Sequence, residues 1–107
     1  MTRNAQRDAV DICPSGVVCM DDRPGHAMTH MRLRLASATP RGWRDAVVVS
    51  ATPEGEVLLE LWDSGELRAI WHHLALEDAV GPGTPVALHP AYSVLAVGEH
   101  RFSVAQL

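Results

Sequence analysis

The chain has 107 residues, 47 % hydrophobic and only 5 % aromatic, with nine basic residues against thirteen acids and a net charge of −4. That is one domain's worth of sequence, too apolar to be disordered throughout, with a core that must be built from Val, Leu and Ala. No apolar run approaches the roughly 18 residues of a membrane span, and no signal-like apolar stretch follows Met1, so a cytoplasmic protein is expected, with Cys13 and Cys19 as free thiols.

All nine basic residues are arginine; there is no lysine, one asparagine (Asn4) and two isoleucines (Ile12, Ile70). GC-rich codons produce this bias, which points to a high-GC bacterial genome and says nothing of the fold. The charge is unevenly spread. Residues 1–44 carry seven Arg against four Asp, net +3, and residues 45–107 carry two Arg against nine acids, net −7. An acidic folded part argues against nucleic acid, which is held by concentrated positive charge.

Residues 1–28 show no hydrophobic period and are expected to be a flexible segment ahead of a domain over 29–107, with a weak helical turn over 5–12 and with Met28 or Met31 as alternative starts. CPSGVVC (Cys13 to Cys19) lacks the C-x-x-C spacing of redox and zinc motifs. MRLRLA (Met31 to Ala36) alternates and predicts a half-buried strand with Arg32 and Arg34 on its polar face. DAVVVSA (Asp45 to Ala51) is continuous and β-branched, as in a strand buried on both sides. TPEG (Thr52 to Gly55) is a turn whose Gly supplies φ > 0. EVLLELW and ELRAIWH, joined at Asp63-Ser64-Gly65, predict a hairpin. A three-residue loop with Gly65 left-handed sets Leu61 against Leu67, Glu60 against Arg68 and Leu58 against Ile70. Val57, Leu59, Leu61, Leu67, Ala69 and Trp71 then form an apolar face. Leu58, Glu60, Trp62, Glu66, Arg68, Ile70 and His72 form the other. LALEDAV (Leu74 to Val80) predicts a helical turn or short helix, and GPGTP stops it. PVALH, YSVLAVG and RFSVAQL complete the chain as short strands, with Gly98-Glu99 as a tight hairpin turn.

About six short antiparallel strands and one short helix make a mainly β protein. The bent meander, helical turn and closing strand over residues 30–107 resemble the SH3-like small barrels, with a five-stranded OB-type barrel as the neighbouring alternative. The resemblance is one of architecture and implies a binding module more than an enzyme.

Six histidines (His26, His30, His72, His73, His89, His100) raise the question of metal. Neighbours on a strand face opposite ways, so His72 and His73 cannot both ligate one ion. A set such as His72, His89 and His100 is required by no spacing, and the pair is read as the end of a strand. No nucleophile motif and no phosphate loop is present. The remaining feature is apolar: Leu58, Trp62 and Ile70 share the charged face and, with Trp43 and Tyr92 nearby, make a candidate partner-binding patch. The expectation is a non-enzymatic small barrel that binds another protein or its own copy, without cofactor, metal or membrane contact. The alternatives are nucleic-acid binding through a basic arm (Arg32, Arg34, Arg41, Arg44) and Trp43, and a histidine-based metal site.

Overall fold

The structure is a computed structural model that describes residues 23–107. The turn expected over 5–12 and both cysteines lie outside the described residues. Helix α1 (His30–Ser37) and a 3-10 turn (Pro40–Gly42) precede seven strands: β1 (Arg44–Ala51), β2 (Glu56–Leu61), β3 (Leu67–Trp71), β4 (Pro85–His89), β5 (Val94–Val97), β6 (His100–Ser103) and β7 (Ala105–Gln106). They form one antiparallel sheet in the order β6-β5-β4-β1-β2-β3-β7. The two edge strands are consecutive in sequence and separated only by Val104, so one bent segment seams both edges into a nearly closed barrel. The expected last strand, RFSVAQL, is thus two strands with a corner between them. Among the described residues no helix is long and apolar enough to cross a membrane.

The core is aliphatic, as the composition requires. Ala46, Val48, Val57, Leu59, Leu61, Ile70, Val86, Leu88, Leu95 and Val104 fill the interior, and Leu76 and Val80 plug it from the β3–β4 connection. That connection holds the expected helical turn, closed by the Val80 N–H donating to Leu76 O at 2.9 Å, but it does not extend to a helix. The expectation of a β1 buried on both sides is corrected. Ala46 and Val48 face the core, while Val49 is the extra residue of a bulge between Val48 and Ser50 and lies exposed.

Residues 31–36, expected as a strand, are helical. Thr29 caps the helix, its Oγ1 accepting from Arg32 N at 3.1 Å, and Met, Leu, Arg and Ala are good helix formers. The inward positions are Thr29, Arg32, Leu33 and Ala36, the i, i+3, i+4, i+7 stripe of a helix. An arginine in that stripe makes the segment read as period two. Its guanidinium donates to Ser103 Oγ at the barrel wall.

Part of the segment expected ahead of residue 29 contacts the barrel. Gly25 is buried, its N–H donates to Ser103 Oγ at 3.1 Å, and its carbonyl accepts from His73 N at 2.7 Å. Residues 23–28 therefore pack on the barrel. Gly25 has φ +97°, and a Cβ there would lie 2.6 Å from the Trp71 ring.

Candidate functional site

The hairpin β2–β3 decides which side chains reach the surface. Its loop is four residues, Trp62–Gly65: the Leu61 N–H donates to Glu66 O and the Gly65 N–H to Leu61 O, both at 2.8 Å. Gly65 is left-handed as expected, φ +72°. The extra residue shifts the pairing by one, to Glu60↔Leu67, Leu59↔Arg68, Leu58↔Ala69 and Val57↔Ile70. A shift of one turns every β3 side chain to the opposite face. Ile70, expected in the surface patch, is a core residue 1 % exposed, and Leu67, expected in the core, is 58 % exposed. The expected Glu60–Arg68 pair is replaced by Arg68 with Glu66 at 3.0 Å.

The outer face built by this register is continuous across four strands. Leu67 of β3 lies beside Glu60 of β2, Glu60 beside Val47 of β1, and Val47 beside Pro85 of β4. Half-buried Leu58 is one pair further along, beside Ala69 and Ser50. Trp62 rises at the end of β2, tied by its N–H to Asp45 O at 2.9 Å, with its side chain 77 % exposed. Three shallow grooves meet at this indole. One, of about 360 Å³, is lined by Val47, Glu60, Leu61, Trp62 and Gly65. A second, of about 250 Å³, runs over Asp45, Ala46, Val47, Pro85 and Val86. A third, of about 170 Å³, lies toward Trp43, Arg44, Asp45 and Asp63. Arg44 Nη2 donates to both Asp63 oxygens at 3.0 and 3.3 Å, and this bond holds the Asp63 carboxyl below the usual carboxylate range. Glu66 is lowered by its hydrogen bond from Arg68.

Of the residues expected in the patch, Trp62 and Leu58 reach this face, Ile70 does not, and Trp43 reaches only the rim. Trp43 has a structural task. Its Nε1–H donates to Ala36 O at 3.2 Å, its ring meets His89 edge-on at 5.0 Å, and the Arg101 guanidinium lies 5.7 Å from its centroid. Val47, Leu67, Asp45 and the groove by Gly65 were missed. The only signal that could have found them is the loop length.

Four of the histidines, His26, His72, His73 and His89, pack within the fold, while His30 and His100 are exposed. His89 is buried, with Nε2 at 2.7 Å from Thr39 Oγ1 and 3.2 Å from Thr39 O, and it pins the turn after α1 to β4. The strand expected to run through His72 ends one residue earlier, at Trp71, and His72 is not on the outer face. It is fully buried, with Nδ1 2.7 Å from Ser103 O. His73 stacks on His26 at 5.0 Å and meets His72 at 4.6 Å. His72, His89 and His100 are not brought together, and among the described residues no three His, Cys, Asp or Glu side chains are grouped to hold a metal ion. The basic stripe expected of a strand is dissolved by the helix: Arg32 turns inward, Arg34 outward, and Arg44 is paired to Asp63.

No family model, curated protein or solved structure matches the chain.

Proposed function

We propose that this protein is a non-enzymatic small-barrel module of SH3-like architecture that binds a polypeptide, a partner protein or a second copy, on the outer face around Trp62. The observation that carries the reading is the exposure of Trp62. A tryptophan 77 % exposed, beside a Leu67 58 % exposed, gains nothing for the fold by its position. Large apolar side chains gathered on one polar-rimmed face are how contact surfaces look, and tryptophan is the residue most enriched among binding hot spots. The architectural part rests on the β1–β2–β3 meander, the helical turn at Leu76–Val80 and the return of β4 to pair with β1.

The test pairs Trp62→Ala/Leu67→Ala with the parent protein. Both are compared by sedimentation for self-association, by cross-linking in the native host for partners and by thermal unfolding. The double variant is expected to keep its melting temperature and lose the contact. A variant that keeps every contact overturns the assignment of this face.

A further inference from the structure

We propose that the surface around Trp62 takes a cationic side chain, an arginine or lysine presented by an extended segment of a partner protein. The inference rests on the reading of this face as a binding surface and names what it binds.

The argument begins with where the charges stand. Each groove at the indole carries a carboxylate: Glu60 in the largest, Asp45 in the second, Asp45 and Asp63 in the third. Asp63 is neutralised by Arg44, the only cation among the groove-lining residues. Neither Glu60 nor Asp45 has an ion-pair partner among the described residues. An exposed indole therefore stands between two uncompensated carboxylates. The negative face of an aromatic ring attracts a cation that lies over it, best of all on tryptophan, and a neighbouring carboxylate adds to the same attraction.

The floor matches the stem of such a side chain. Val47 lines two of the grooves, with Pro85 and Val86 along the second. Arginine and lysine lay their methylenes on apolar surface while the charged head stays at the rim. At about 360 Å³ the largest groove lies near the lower end of small-ligand sites and suits one long side chain rather than a folded domain.

The charge also decides against the other occupants. A nucleic acid would bring phosphates to Glu60 and Asp45. A second copy in a two-fold contact would set this face against itself, carboxylates toward carboxylates, which is repulsive. A foreign basic segment meets complementary charge.

The experiment titrates the full chain with a hexa-arginine peptide and with its hexa-citrulline counterpart, of the same shape but without charge, followed by tryptophan fluorescence and by NMR. The variants are Trp62→Ala, Trp62→Phe and Glu60→Gln/Asp45→Asn, each checked for an unchanged melting temperature. Hexa-arginine is expected to bind the parent protein and hexa-citrulline not to. Trp62→Ala and Glu60→Gln/Asp45→Asn are each expected to weaken binding by about tenfold, with Trp62→Phe in between. Hexa-arginine that binds Trp62→Ala as well as the parent overturns the proposal, because simple attraction to an acidic surface would then suffice. Equal binding of the two peptides overturns it too, as does no binding of either. The two readings fail separately. If cross-linked partners or self-association vanish in Trp62→Ala/Leu67→Ala but survive in Glu60→Gln/Asp45→Asn, the binding surface stands and the cation falls. If they survive in both, the surface falls as well.

Discussion

At the scale of single residues, Ile70 and Leu67 carry the clearest test. They lie three positions apart on β3, on opposite faces. Ile70→Ala is expected to cost about 2–5 kcal/mol, the range for truncating an aliphatic side chain in a close-packed core. Leu67→Ala is expected to change stability by less than about 0.5 kcal/mol. Denaturant unfolding of the two variants decides the register directly, since the three-residue loop predicts the reverse order. Asp63 gives a second test. Its carboxyl is lowered in the folded protein by the Arg44 hydrogen bond. A lowered folded-state value means the contact contributes above the ordinary carboxylate range and is lost as pH falls through that value. NMR titration should therefore find Asp63 ionising below an ordinary aspartate, and Arg44→Gln should return it to the usual range with little change in stability at neutral pH.

Among the elements, two hairpin loops share one device. Trp62–Gly65 and Pro90–Ser93 both close with the fourth residue's N–H donating to the carbonyl of the last strand residue, at 2.8 Å, and both place that residue left-handed. Glycine fills the place in one; Ser93, at φ +56°, fills it in the other and accepts from Gln106 Nε2 at 2.9 Å. Gly65→Ala is expected to cost about 1–2 kcal/mol, and Gly65→Asn distinctly less, because asparagine tolerates this conformation better. Equal losses in thermal unfolding would mean that the backbone conformation is not what this position demands. This loop also shows where legibility ended. The left-handed glycine was readable from Asp63-Ser64-Gly65, but three-residue and four-residue hairpin loops can both end in such a residue. Nothing local says whether Trp62 belongs to the strand or to the loop. The strand expected over 31–36 failed for a different reason. The inward place of Arg32 depends on Ser103, 71 residues away, and a local pattern cannot contain that partner.

For the molecule as a whole, the last residues close the barrel. Ala105 and Gln106 pair with Trp71 and Ile70, Leu107 N donates to Ala69 O at 2.9 Å, and Gln106 Nε2 donates to Pro90 O at 2.8 Å. Deleting residues 105–107 should cost on the order of 2–4 kcal/mol, a few net hydrogen bonds at about 1 kcal/mol each. Hydrogen exchange should then quicken in β3 while β1, flanked by β2 and β4, stays protected up to global unfolding. Uniform loss of protection would mean the seam does not open as a unit. By itself the sequence determined the aliphatic core, a mainly β chain and the turns at Gly55 and Gly98, because each follows from composition, alternation or the φ a turn requires. Only the tertiary structure decided that Met31 to Ala36 is helical, that Ile70 points inward while Leu67 points outward, and that Trp62 shares its grooves with Glu60 and Asp45. Those outcomes depend on one residue of register and on partners far along the chain. A repeat of two is blind to which of two faces meets the core until the whole barrel has closed.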